Sequence, residues 1–234
     1  MKTLLISIGL LVSTIMWGQN CDCEKDTMLK KCISCKPIKF DNGSKLFWSF
    51  NCDSSWLTFE NIRGEHKIIF SLEKDFLDLT TRLGYAEFQE FKTTFLVTNN
   101  VISGCCQPQD YYLHDKTSGN LIKYLGRTIY TSEDKNIPIV VSITNSKYDT
   151  ITKPDYNSLT IYNLDNNKES QLALPKGDIK KGLKNNHFMF PEDLFETPEI
   201  KEDKLYIKYS TQRIDKNKPL KYKTIIIDLK KYSS

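Results

Sequence analysis

In Tyr111-Tyr112-Leu113-His114-Asp115-Lys116-Thr117-Ser118-Gly119-Asn120-Leu121-Ile122-Lys123-Tyr124-Leu125, two short apolar and aromatic runs flank a polar turn. Gly119 can supply the positive φ that such a turn requires. This pattern predicts a β-hairpin. Because an isolated hairpin is only marginally stable, we expect it to pair or stack with further strands.

Similar units occur elsewhere in the chain. Residues 159–163 lead through the polar segment 164–168 to 170–174, and residues 68–72 lead through 73–75 to 76–79. Residues 224–229 form a fourth apolar run that has no return strand. Another extended segment precedes three of the units, at 95–97, 139–143 and 205–207. The repetition predicts stacked β-meanders.

The wider pattern is one of short strands rich in Ile, Val, Phe, Tyr and Thr, broken by Asn, Asp, Gly and Pro. It predicts strands at 46–50, 56–60, 67–72, 94–98, 111–114, 121–125, 137–144, 159–162, 205–209 and 224–229. Helical periodicity is weak. It favours helices at 74–83, ended by Gly84, and near 86–91, with one helical turn around Met28 and Leu29.

The hairpin turns resemble those of β-propeller blade repeats in exported Bacteroidetes proteins, whose outer strands often end in an Asp-x-x-Thr-Gly turn. Residues 115–119 come near that pattern with Ser118 inserted, and 165–168 keep only its polarity. The resemblance covers residues 46–229 and implies an all-β, propeller-like stack of four to five small blades. A two-sheet β-sandwich would show nearly the same sequence pattern and is the alternative fold.

The N-terminus reads as a secretion signal. Residues 1–19 combine a basic start, an apolar run over residues 4–17 and a small residue, Gly18, near a cleavage point. A retained membrane anchor is the alternative. The sequence therefore predicts a signal peptide at 1–19, a cysteine-rich lead-in at 20–45 and a single β-repeat domain at 46–234. We expect a periplasmic, cell-surface or extracellular location.

Export decides how the seven cysteines are read, because oxidising compartments favour disulfides. The disulfide candidates are Cys21, Cys23, Cys32, Cys35, Cys52, Cys105 and Cys106. A zinc knuckle at the first four is the alternative. The adjacent Cys105 and Cys106 should each seek a distant partner, and Cys52 is an obvious one.

The odd number of cysteines leaves one over. If Cys21 were the acylated first residue of a lipoprotein, the other six could all pair. The acidic run after it resembles surface-export signals of Bacteroidetes lipoproteins. Asn20 stands where such a signal prefers Gly, Ala or Ser. A lipid anchor at Cys21 is therefore the lesser alternative to ordinary cleavage.

Composition argues against several classes of function. The chain carries a net charge of +4, and its lysines are scattered among acids, so no nucleic-acid face is expected. No segment after residue 17 is long and apolar enough to span a bilayer. No phosphate loop, dinucleotide fingerprint, nucleophile elbow or paired-histidine metal motif occurs. The sequence thus predicts no cofactor, no metal site and no catalytic residue.

Aromatic residues remain as a clue. Trp48 and Trp56 flank Cys52, and His114 ends a predicted strand beside Asp115. The majority of tryptophans in β proteins lie in the core, and an exposed platform for a glycan or peptide is the alternative. Trp48, Trp56 and His114 are therefore the candidate binding surface. A Cys–His catalytic pair around Cys105, Cys106 and His114 is less favoured, since an oxidised sulfur is no nucleophile.

These observations favour an exported, non-catalytic binding module that contacts a protein or a glycan. One specific version is an immunity-type inhibitor of an extracytoplasmic toxin. The alternative from another class is a hydrolase of cell-wall or glycan material that uses a carboxylate pair.

Overall fold

A computed structural model describes residues 21–79, 84–100, 109–144, 156–188, 190–212, 214, 217 and 219–232. The predicted signal peptide lies outside these residues. Within them, no helix combines the length and apolar character needed to cross a membrane.

The described residues are mostly in short strands. These are β1 (Ile38–Lys39), β2 (Lys45–Phe50), β3 (Ser54–Glu60), β4 (His66–Glu73), β5 (Gly84–Glu90), β6 (Thr94–Asn100), β7 (Asp110–Asp115), β8 (Leu121–Gly126), β9 (Tyr130–Thr131), β10 (Ile139–Ile143), β11 (Ser158–Asn163), β12 (Glu169–Ala173), β13 (Glu199–Lys201), β14 (Lys204–Tyr209) and β15 (Lys223–Asp228). The ten strands expected from the sequence are present, with ends shifted by at most two residues. The first sheet begins at Ile38, inside the segment assigned to the lead-in.

The strands form four antiparallel sheets, and each sheet contains only strands that are consecutive in the chain. The first three sheets hold β1–β4, β5–β8 and β9–β12, and the last holds β13–β15. The fold is therefore all-β, a propeller-like stack of β-meanders, with four blades among the described residues. The sandwich alternative was wrong, because the strands divide among four sheets.

Helices are few and short. The α-helices are α1 (Leu29–Cys32) and α2 (Asp178–Asn186), and the 3₁₀ helices are Lys74–Leu79, Pro191–Leu194 and Leu229–Lys231. The helical turn near Met28 is confirmed as α1. The return strand expected at 76–79 was wrong, because this segment forms a 3₁₀ helix whose Leu77 packs with Leu29 and Phe50.

The helix expected at 86–91 was also wrong, because residues 84–90 form β5. Phe88 pairs with Val97 of β6, and Glu87 pairs with Thr98 after a register shift. A short segment with no helical partner gains more from pairing along a whole neighbouring strand than from its weak helical periodicity.

Apolar clusters join each sheet to the next one along the chain. Leu57 and Phe59 of the first sheet pack with Phe95 and Val97 of the second. Leu96 of the second sheet packs in the same way with Val140 of the third. Further clusters connect the third sheet to the fourth through Ile139, Val141, Leu205 and Ile207. The core is thus divided into layers between neighbouring blades.

Candidate functional site

The two ends of the stack differ in the connections they carry. One end, which we call the short-turn end, holds the turns 41–44, 61–65, 91–93, 116–120, 132–138, 164–168 and 202–203. At the other end, the long-segment end, the second strand of each sheet ends and the third begins. The chain between these strand ends covers residues 51–53, 101–109, 144–157 and 210–222.

At the short-turn end, Lys116 ties the first two sheets together. It is 4% exposed, and its Nζ lies 2.8 Å from Asp41 Oδ1 and 3.1 Å from Glu90 Oε1. The Nζ also donates to the carbonyl of Phe91 at 2.7 Å. A buried ammonium requires such partners, and here they come from two places, the turn 41–44 and the adjacent residues Glu90 and Phe91 at the end of β5. This cluster closes the end of the stack.

The turn that contains Lys116 also fits closely against the first sheet. Gly119 has φ of +69°, as the sequence predicts for this turn, and a Cβ at this position would lie 2.7 Å from Phe59 Cγ. Asp115 Oδ1 accepts hydrogen bonds from the backbone N–H groups of Thr117 and Ser118. The segment 115–120 is therefore a structural turn.

The long-segment end holds a group of polar side chains from β7 and β8. Tyr112 pairs with Tyr124 across these strands, and their ring centroids lie 4.8 Å apart. The Tyr124 hydroxyl hydrogen-bonds the carboxylate of Asp110, the first residue of β7. Burial raises the pKa of Asp110, while this hydrogen bond and the charge of Arg127 lower it in part. Burial and the nearby Asp110 charge raise the pKa of Tyr124.

Arg127 joins this group to the segment before the fourth sheet. It is 5% exposed, and its guanidinium carbon lies 3.9 Å from the ring centroid of Phe190. Burial, followed by the negative charge of Glu192, raises the pKa of Tyr156, and the charge of Arg127 opposes them. A guanidinium, two carboxylates and three phenols therefore lie near one another. We call Asp110, Tyr112, Tyr124, Arg127, Tyr156 and Glu192 the tyrosine–arginine cluster.

This cluster has the chemistry of a site for a polar ligand. Phenol and guanidinium groups donate hydrogen bonds, carboxylates accept them, and aromatic faces stack on sugar rings or side chains. The raised pKa of Asp110 also means that this carboxyl group keeps its proton to a higher pH than an ordinary aspartate does.

The sequence did not single out this cluster. Asp110 and Tyr112 alternate along β7, which indicates a shared face. Arg127 and Tyr156 lie 29 positions apart in the chain, so only the stacking of sheets brings them close.

The cysteine-rich lead-in covers the long-segment end of the first sheet. The structure contains the disulfides Cys21–Cys35 and Cys23–Cys52, with Cα–Cα distances of 6.4 Å and 4.8 Å. Disulfides are thus confirmed, and a zinc knuckle is wrong because three of its four sulfurs are bonded to another sulfur. Cys52 does not pair with Cys105 or Cys106, which lie outside the described residues.

Two further findings concern the lead-in. Cys32 is a free thiol of intermediate burial. The sulfur of Cys21 is bonded to Cys35, so a lipid thioether at Cys21 does not fit this structure. A cleft of about 300 Å³ lies beside the Cys23–Cys52 bond and is lined by Lys25, Asp26, Asp53, Lys74 and apolar residues.

The three residues expected at a binding surface are not brought together. Trp48 pairs with Leu57, whereas Trp56 pairs with Ser49, so the half-buried tryptophans lie on opposite faces of the first sheet. His114 is 3% exposed and stacks on Phe95 with a centroid distance of 5.1 Å. Its Nδ1 lies 3.1 Å from the Gly119 carbonyl. His114 is therefore a core residue, and its assignment to a surface was wrong.

Comparisons with known proteins identify no family. No family model matches the chain, and no curated protein matches it. It is similar to a solved structure described as the beta-propeller domain of the Trilobed protease from Pyrococcus furiosus, with an open velcro topology, at 12% identity and a TM-score of 0.35. The similarity covers 82% of this chain and 53% of that one, so the chain spans about half the length of that structure.

Proposed function

We infer that this chain is an exported, non-catalytic binding module of the periplasm or cell surface, and that its partner contacts the long-segment end. The observation that carries this proposal is the difference in structure between the two ends of the stack. Short, mutually bonded turns close one end. The tyrosine–arginine cluster lies at the other, where three of the four connections within sheets (101–109, 144–157 and 210–222) are longer than any turn of the first end. Loops held by a rigid scaffold are a common location for binding residues.

The disulfides of the described chain support export. Two disulfides crosslink the lead-in, and disulfides persist mainly in oxidising compartments. The Cys23–Cys52 bond also attaches the lead-in, a segment with few buried apolar residues, to the first sheet. The partner is a protein or a glycan. The immunity-type version of this function stays a prediction from the sequence.

Position-specific crosslinking tests the proposal. A photoreactive benzoylphenylalanine at exposed Gln109 samples the long-segment end, and the same group at exposed Lys168 samples the short-turn end. After irradiation of cells that make each variant, we expect a covalent adduct at position 109 and none at position 168. Adducts at 168 alone, or equally at both positions, would contradict the proposal.

A glycan or cell-wall hydrolase is the second candidate function, and the raised pKa of Asp110 favours it. A carboxyl group that stays protonated can act as a general acid, with a second carboxylate nearby. Glu192 is the second carboxylate of the cluster. This candidate requires release of soluble sugars from peptidoglycan or envelope glycans, abolished by Asp110→Asn. Binding of these materials without release, by both wild type and variant, favours the binding module.

A further inference from the structure

Among the described residues, the fourth sheet has three strands, whereas each of the other sheets has four. In the first three sheets the third strand is paired on both edges, so β3 lies between β2 and β4. β15 holds the third position of the last sheet and pairs with β14 through residues 223–228. Among the described residues, no strand pairs with the outer edge of β15.

The sequence of β15 is typical of a strand that is covered on both sides. It reads Lys-Thr-Ile-Ile-Ile-Asp, yet only Ile227 is buried, and Ile226 is 55% exposed. The third strand of the neighbouring sheet, β11, is far better covered, with Leu159, Ile161 and Tyr162 all buried. An exposed edge of β-branched residues, with its outward backbone N–H and C=O groups, is a template for another strand.

The lysines around β15 favour an acidic segment over a second copy of β15 as the strand that pairs with this edge. Lys221 and Lys223 precede the isoleucines, and Lys230 and Lys231 follow them. Lys223 is paired with Asp178 at 2.6 Å and Lys230 with Asp203 at 3.3 Å, whereas the exposed Lys221 and Lys231 add one positive charge near each end of the edge. In an antiparallel pair of two copies, the lysine-rich start of one β15 would approach the lysine-rich end of the other. Like charges at such positions oppose pairing, whereas an acidic segment is attracted.

We propose that the outer edge of β15 binds an extended segment of another protein as a fourth strand, with apolar residues at alternate positions and acidic residues at its ends. This mode of recognition combines main-chain hydrogen bonds with pockets for alternate side chains. The surface is separate from the tyrosine–arginine cluster, so the inference stands or falls independently of the proposed function.

Selection from a library tests this inference without knowledge of the natural partner. A phage-displayed library of random eight-residue peptides is panned on the mature chain. We expect enrichment of peptides with alternating apolar residues and flanking Asp or Glu. Two variants distinguish the edge from other apolar surface: Ile226→Lys lies on β15, and Ile200→Lys lies on β13 at the opposite edge, with similar exposures of 55% and 53%.

The best peptide is then synthesised and its affinity is measured by fluorescence anisotropy. We expect Ile226→Lys to weaken binding at least tenfold and Ile200→Lys to leave it unchanged. N-methylation of the alternate peptide amides that face β15 should weaken binding by about a hundredfold, since it removes several backbone hydrogen bonds, and methylation of the other set should not. Failure to enrich acidic peptides, equal effects of the two variants or insensitivity to both methylation patterns would overturn the inference. So would dimerisation of the chain through β15.

Discussion

The two ends of the stack differ in their side-chain contacts, although both belong to the same four meanders. At the short-turn end, neighbouring turns bond to one another: Lys116 reaches Asp41 and Glu90, and Thr93 bonds to Asp165. At the long-segment end, the connections are longer and Tyr124, Arg127 and their neighbours bring together donors, acceptors and aromatic faces. Among the described residues, polar side chains thus tie neighbouring sheets together at the short-turn end, whereas the long-segment end presents groups suited to a ligand.

The largest effect is expected from Gly119→Ala at the short-turn end. The alanine adds both a strained positive φ and a clash with Phe59, and we expect a loss of about 4 kcal/mol in the free energy of unfolding. Urea titration measures it. Gly64 is the matched control, since it also has positive φ but its added Cβ meets nothing within 4 Å. Gly64→Ala should cost about 1 kcal/mol, and equal losses in the two variants would refute the packing argument.

The next effect concerns the long-segment end. Replacing both Cys23 and Cys52 with Ala removes a crosslink between residues 29 positions apart, and we expect a loss of about 3 kcal/mol. Urea titration under non-reducing conditions measures it. Cys32→Ala changes a free thiol of the same lead-in and should cost less than about 1 kcal/mol. A Cys32→Ala loss as large as that of the double variant would show that packing, and not the crosslink, holds the lead-in.

Lys116→Met tests whether the charge cluster closes the short-turn end. The variant leaves Glu90 without its buried partner, and we expect a loss of about 2 kcal/mol in the free energy of unfolding. Lys135 binds the same Glu90 at 3.1 Å but is half-exposed, so Lys135→Met should cost less than about 1 kcal/mol. Similar losses for both variants would remove the special role of Lys116.

The smallest effect is a pH dependence at the tyrosine–arginine cluster. Because burial raises the pKa of Asp110 in the folded chain, the folded state keeps a proton that the unfolded chain has already released. Wild type therefore loses stability as the pH rises through that interval, and Asp110→Asn does not. By urea titration, we expect Asp110→Asn to gain stability relative to wild type as the pH rises above the ordinary aspartate pKa of 3.8. Tyr124→Phe removes a hydrogen bond to the Asp110 carboxylate and should enlarge the difference in stability between chains with and without Asp110→Asn. A difference that shrinks as the pH rises would contradict the raised pKa of Asp110.

Strands were the most predictable part of the fold. Segments such as 121–125 and 159–162 alternate or cluster β-branched and aromatic residues between turn residues, and both strands form there. Gly119 also behaves as its sequence context predicts. The pairing of strands joined by short turns, such as β7 with β8 and β11 with β12, followed from those turns, because consecutive strands joined by a few residues form hairpins.

The remaining parts depend on contacts between distant residues. α2 carries Gly182 in its middle, which weakens the helical signal in the sequence. A Cβ at this position would lie only 2.7 Å from Leu194 Cδ2, so the glycine allows Leu194 to pack closely against the helix. Cys52 was expected to pair with Cys105 or Cys106, but it meets Cys23 because the lead-in folds back on the first sheet. Arg127 lies near Tyr156 only through the stacking of sheets. Local patterns contain no information about such long-range proximity.

The layered core has a consequence for how the chain is made. Each apolar cluster joins meanders that are neighbours in the sequence, from Phe59 and Phe95 to Val141 and Leu205. The chain leaves the ribosome or a translocation pore with its N-terminus first. Each exposed apolar face can therefore be covered as soon as the next meander appears. Assembly can then follow the order of synthesis, because each new sheet packs on the one made just before it.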